Sequence, residues 1–183
     1  MPKRLFAAID LPDSITDAIA DLDPRVPDVR WVKSDHMHLT LGFFGVVDDE
    51  PMTEFADRLR AIHFGAFFLP VREFGMFPSK GPPRIVWVGV GHGHPHLFQV
   101  HKRVQEAAMQ SGLEPDLRPW HPHITIARCR EISRPAADKM LRKLGEADFS
   151  MFRVDAFRLY SSQLTPAGSI YTIECEVPAS LAS

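Results

Sequence analysis

The chain has 183 residues, 45% hydrophobic and 24% charged, with 21 Lys plus Arg against 23 Asp plus Glu for a net charge of −2. That composition buries a core as one domain of ordinary size and excludes a disordered chain. A protein that coats long stretches of nucleic acid needs a strongly basic surface, so any nucleic-acid contact here is local, to an end or a single linkage. Two cysteines, Cys129 and Cys175, are too few for a disulfide framework and fit a reducing compartment. The apolar start is stopped by Asp10 and Pro12, too early for a signal peptide, and nothing approaches the ~20 apolar residues of a membrane span. The expectation is a soluble cytoplasmic protein, monomeric, with no membrane partner.

In chain order, Arg4 to Ile9 reads as a strand. Asp13 caps a helix with Ile15, Ile19 and Leu22 inward, ended by Asp23-Pro24. Arg30 to Val32 and His38 to Phe44 read as strands around a turn at Ser34-Asp35. A second helix follows with Met52, Phe55, Ala56 and Leu59 on one face. Phe67 to Phe74 is a strand, and Pro78 to Pro83 an irregular loop. The second half runs through a strand at Arg84 to Val90, a helix at Pro95 to Gln110 with Leu97, Val100, Val104 and Ala108 inward, and a strand at His123 to Ala127. A helix at Pro135 to Leu144 and strands at Phe152 to Tyr160 and Ile170 to Val177 complete it.

The second half repeats the order of the first. His38 to Phe67 and His123 to Phe152 are both intervals of 29 residues, and each begins with His-aliphatic-Thr-aliphatic. The pattern is that of an internal duplication, two β-α-β-α-β lobes related by a pseudo-two-fold axis. No Gly/Ser-rich linker separates them, so residues 1–183 form a single bilobal domain in which the lobes pack as one unit.

The two motifs carry the chemistry. Alternation along a strand puts Leu39, Leu41 and Phe43 in the core and His38 and Thr40 on the opposite face. The same alternation separates Ile124 and Ile126 from His123 and Thr125. A pseudo-two-fold axis then brings two imidazoles and two hydroxyls face to face. Imidazole titrates near neutral pH, so one ring serves as base while its twin serves as acid, and the hydroxyls hold phosphate oxygens. That is equipment for in-line attack on a phosphodiester. One such motif alone is commonplace; two at matching places in a duplicated architecture form a specific constellation.

Other residues read less sharply. The alternating His92, His94 and His96 invite a metal, but the run lacks a companion carboxylate and solvated loop histidines are the expectation. His36 and His63 have no evident partner. Trp31 offers a ring for stacking on a base, while Phe43 and Trp87 read as core.

The sequence resembles the two-histidine (2H) phosphoesterases, and within them the branch of RNA 2′,3′-cyclic phosphodiesterases formerly called 2′-5′ RNA ligases. The resemblance rests on residues 4–9, 29–32, 38–45, 118–128 and 159–164, which run nearly end to end in the expected order. It implies a bilobal α+β fold with concave antiparallel sheets and chemistry that needs no metal or other cofactor. It implies His38 as proton donor, His123 as proton acceptor, and Thr40 and Thr125 as phosphate ligands. Arg128, two positions past Ile126 and so on one face with it by alternation, would lend the phosphate positive charge. The substrates implied are RNA ends or nucleotides carrying a 2′,3′-cyclic phosphate, opened to 2′-phosphomonoesters. His121, where the branch often has Arg, is a departure whose role stays open. The alternatives are a ligase joining cyclic-phosphate and 5′-hydroxyl ends, a non-catalytic RNA- or nucleotide-binding module, and a metallophosphoesterase built on the histidine-rich loop.

Overall fold

The computed structural model describes residues 1–91 and 93–181. Among these, the elements in order are β1 (Lys3–Asp10), α1 (Asp13–Ala20), β2 (Val29–Trp31), β3 (His38–Val47), α2 (Asp49–Arg60), β4 (Phe67–Phe77), β5 (Ile85–Val90), α3 (Pro95–Gln110), β6 (His123–Cys129), α4 (Arg134–Leu144), β7 (Asp148–Val154), β8 (Ala156–Thr165) and β9 (Gly168–Pro178), with a 3-10 turn at Ser34–His36. The strands join in one antiparallel sheet, order β7-β4-β5-β6-β3-β1-β8-β9, with β2 paired to β6. This is an α+β fold. No helix among the described residues is long and apolar enough to cross a membrane.

The order β-α-β-α-β does repeat along the chain, but the strands are not shared out by chain order. The β4 strand, third of the first repeat, pairs with β5 and β7 of the second. The first half is completed instead by the C-terminal hairpin, through β8 against β1 and β9 against β8. The segment Phe152 to Tyr160, which reads as one strand, is therefore two, divided at Asp155 and placed in opposite halves.

The helices cover one face of the sheet and leave the other open. Ile15 and Ile19 of α1, Phe55 and Leu59 of α2, Leu97, Val100 and Val104 of α3 and Met140 of α4 join Leu5, Ala7, Ile9, Leu39, Leu41, Val86, Val88, Ile124 and Ile126 in one core. Fully burying one such aliphatic or aromatic side chain is worth roughly 1.5–3 kcal/mol, so this layer holds the halves together. Two local corrections follow from geometry. The N-cap of α1 is Pro12, and Asp13 is its first residue, where its charge meets the helix dipole instead of capping an amide. The helix stops at Ala20, so Leu22 lies beyond it.

Bulges in β3 reset its alternation. Ala8 faces Thr40, Ala7 faces Gly42 and Phe6 faces Phe43, so the register slips once between Thr40 and Gly42. Phe43 consequently turns to the open face, 63% exposed, and Phe44 takes the core position. Strict alternation places Phe43 inside; the bulge overturns that expectation. Gly42 fits the slip because a Cβ there would lie 2.5 Å from Gln105 Nε2 on α3.

Candidate active site

The two halves of the sheet meet at one backbone pairing, Leu39 with Ile124. Both side chains are fully buried. His38 and Thr40 flank the first, and His123 and Thr125 flank the second, all four half-buried. Antiparallel pairing sets His38 toward Thr125 and Thr40 toward His123, on strands ~5 Å apart. The four residues that the motifs single out are therefore brought together, on the face that the helices leave open.

His38 sits among aromatic rings. Phe6 stacks on it at 4.9 Å and 21°, Tyr160 lies beyond at 6.4 Å and 25°, and Tyr171 meets it edge-on at 5.6 Å and 77°. Asp10 is its register partner on β1 and accepts a hydrogen bond from the Tyr160 hydroxyl at 2.6 Å and another from the Arg158 guanidinium. Burial lowers the His38 pKa to about 4, the Asp10 charge acts to raise it, and His36 lowers it further. The same environment pushes the Tyr160 phenol up to about 12, first through burial and then through its bond to Asp10.

His123 is held by its own strand. Its Nδ1 lies 2.7 Å from the His121 carbonyl oxygen, and that contact requires Nδ1 to carry the proton. Nε2 then keeps its lone pair, the form a proton acceptor needs. Burial lowers this pKa as well, the bond to the His121 carbonyl opposes the shift, and the charge of His121 adds to it.

Arg128 reaches this face through a second bulge. Thr125 is paired with Trp87 and Ala127 with Val86, so the register slips at Ile126 and Ile85 then faces Arg128. Unbroken alternation puts Arg128 with buried Ile126, away from His123; the slip moves it to the face of Thr125. Burial raises the Tyr171 phenol, and the positive charge of Arg128, from the other half of the sheet, works against that rise.

Trp87 is not a core residue. It lies on the open face, with ring centroids 5.3 Å from Phe77, 4.7 Å from His121 and 6.4 Å from His123. Trp31, by contrast, packs against the core and donates from Nε1 to the Ile19 carbonyl at 2.9 Å. His94, half-buried at the N-cap of α3, and His96, exposed in its first turn, lie 5.3 and 5.9 Å from the Phe67 ring, and His92 lies outside the described residues. His36 packs on Tyr171 at 4.8 Å. No group of three His, Cys, Asp or Glu among the described residues is placed to hold a metal ion.

Several site residues escape a reading by motif. Phe6, Asp10, Tyr160 and Tyr171 enclose His38 from strands distant in the chain. A charged residue closing the buried strand β1 was the available signal for Asp10. Trp120 and Gln105 brace the junction: the Trp120 indole donates to the Thr40 carbonyl at 3.3 Å and Gln105 to the Leu41 carbonyl at 3.1 Å. His101 stacks flat on Trp120 at 3.9 Å and 5°.

The LigT like Phosphoesterase family model matches the chain twice, over residues 9–87 and 88–171, once for each repeat. The chain is 36% identical over 152 residues to the RNA 2′,3′-cyclic phosphodiesterase of Aeropyrum pernix, covering 82% of this chain and 86% of that protein. It is 33% identical over 171 residues to the RNA 2′,3′-cyclic phosphodiesterase of Archaeoglobus fulgidus, covering 92% and 96%. Among solved structures, Escherichia coli LigT complexed with 3′-AMP superposes with a TM-score of 0.82 at 28% identity, covering 99% of this chain and 100% of that one. With two matches spanning most of its length, the chain belongs to the LigT-like phosphoesterase family.

Proposed function

We propose that this protein hydrolyses the 2′,3′-cyclic phosphate at RNA ends, or on nucleotides, to a 2′-phosphomonoester by paired-histidine acid–base catalysis. The reading rests on one observation above others: the pairing of Leu39 with Ile124, which gathers two imidazoles and two hydroxyls on one open face. The names of the Aeropyrum and Archaeoglobus relatives supply the substrate class. Two free cysteines accord with action in a reducing cytoplasm.

In this mechanism His123 Nε2 takes a proton from the attacking water. The 3′ oxygen, apical and opposite the water, leaves with a proton from His38, and the phosphate stays on the 2′ oxygen. Thr40, Thr125 and Arg128 hold the non-bridging oxygens as charge builds on them. His38 is neutral at pH 7 in the free protein because its surroundings are poorly solvated. The arriving phosphate anion, together with Asp10, supplies the countercharge that lets it take up the proton it must donate. The residues needed for these proton transfers are all in the chain, and a metal ion has no assigned step.

The test is turnover of an oligonucleotide ending in 2′,3′-cyclic phosphate, with and without EDTA. Hydrolysis insensitive to EDTA supports the reading. Loss of turnover with EDTA contradicts it, and so does binding without turnover.

A further inference from the structure

Arg30 and Arg128 are direct cross-strand partners in the β2–β6 pairing. The neighbouring pair, Trp31 with Ala127, faces the core, so both guanidinium stems start from the open face. Both residues are exposed, and among the described residues no carboxylate forms an ion pair with either. Like charges directly opposite one another in a sheet repel, so the arrangement costs stability unless an anion sits between them. The pair lies in line with the site: Trp87 faces Thr125 and Ile85 faces Arg128, two residues further along β5. At the rise of a strand that step is about 7 Å, comparable to the spacing of successive phosphates along an RNA strand.

We infer that Arg30 takes the 5′ phosphodiester of the terminal nucleotide, as a second phosphate subsite next to the one that Arg128 helps to form, so that the enzyme is built for the end of an RNA chain and not for a cyclic mononucleotide. The inference rests on the proposed hydrolysis and names the substrate class of that same site. An arginine fork suits a phosphodiester's two non-bridging oxygens, and placing the next phosphate fixes the ribose of the reacting nucleotide against the histidines. A cyclic nucleoside monophosphate has no 5′ phosphodiester and gains nothing from Arg30. The near-neutral net charge of −2 agrees with a contact of one linkage instead of a long basic track.

The experiment compares wild type with Arg30→Gln and Arg30→Lys on two substrates, a 2′,3′-cyclic mononucleotide and a trinucleotide ending in 2′,3′-cyclic phosphate. Wild type should favour the trinucleotide by roughly tenfold or more in kcat/KM, the scale of one charged hydrogen-bonded contact. Arg30→Gln should remove most of that preference through KM and lower the salt slope of trinucleotide binding by about one, with Arg30→Lys in between. Equal wild-type turnover of the two substrates, or an equal loss on both in Arg30→Gln, overturns the inference. A binding measurement keeps it separable from the hydrolysis reading. By calorimetry, adenosine 2′,5′-bisphosphate should bind wild type more tightly than adenosine 2′-monophosphate, and Arg30→Gln should erase the difference. If that difference appears without any turnover, the subsite stands and the hydrolysis reading falls. If turnover occurs but the two ligands bind alike, the subsite falls.

Discussion

The Trp120 indole donates its N–H to the carbonyl oxygen of Thr40, 80 residues earlier in the chain, across the junction between the halves of the sheet. With Gln105 on the next carbonyl, it satisfies backbone acceptors on β3 just beyond the single pairing with β6. The angle between the halves, and with it the separation of the two motifs, is thus set partly by side chains.

Replacing Trp120 with Phe keeps an aromatic ring against His101, removes the donor and shortens the ring system that packs on the core. Loss of the bond to the part-buried carbonyl should cost about 1 kcal/mol of stability. A slight change in the spacing of Thr40 and His123 should lower kcat roughly tenfold. Thermal melting and steady-state kinetics on the same variant check both.

His38→Ala and His123→Ala should each lower kcat by about 10²–10⁴, the usual contribution of a positioned acid or base. Because both act on one transition state, the double variant should lose less than the product of the two factors. Near wild-type turnover in either single variant would place the chemistry elsewhere.

The pH dependence follows from the direction of the shifts. Burial lowers the pKa of both His38, to about 4, and His123. The free enzyme holds its donor form only toward acid pH, so kcat/KM should trace a bell centred below neutrality. Bound phosphate favours both imidazolium forms, so the kcat bell should lie at higher pH than that of kcat/KM. The same burial governs stability. The unfolded His38 takes up a proton near 6.5 and the folded one only near 4. Its contribution is therefore full above about 6.5 and is lost as pH falls through that window to about 4. Urea titrations at pH 7 and pH 4.5 should show the loss, reduced in His38→Ala.

The strands bearing the motifs were legible because alternation and duplication are local patterns. Helix α3 was legible for the same reason, its inward Leu97, Val100, Val104 and Ala108 all being buried. What escaped were events set by distant partners. Phe43 turns outward because β3 slips against β1, and Arg128 turns toward the site because β6 slips against β5. No local periodicity records a bulge. The exchange of β4 for the β8–β9 hairpin, and with it the Tyr160 and Tyr171 side of the His38 surround, depends on the pairing of β8 with β1, whose partners, such as Arg4 and Ser162, lie far apart in the chain.

Gly75 is opposite Trp87 in the β4–β5 pairing, and a Cβ there would lie 2.0 Å from Trp87 Cζ2. Gly75→Ala must therefore displace the ring that packs on His121 and His123. Overpacking of this kind costs roughly 1–3 kcal/mol, which thermal unfolding should register, and kcat should fall with it. A variant with wild-type melting and turnover would mean that Trp87 does not shape the His123 side of the site.

On the proposed mechanism His123 activates water while His38 protonates the departing 3′ oxygen. That division of roles is tested most directly by hydrolysing a defined 2′,3′-cyclic nucleotide or dinucleotide and separating the 2′- and 3′-phosphate isomers by chromatography. A 2′-phosphomonoester should be the dominant product. A predominantly 3′-phosphate product would contradict the mechanism, by showing that the 2′ oxygen faces the donor and that the substrate lies reversed between the two histidines.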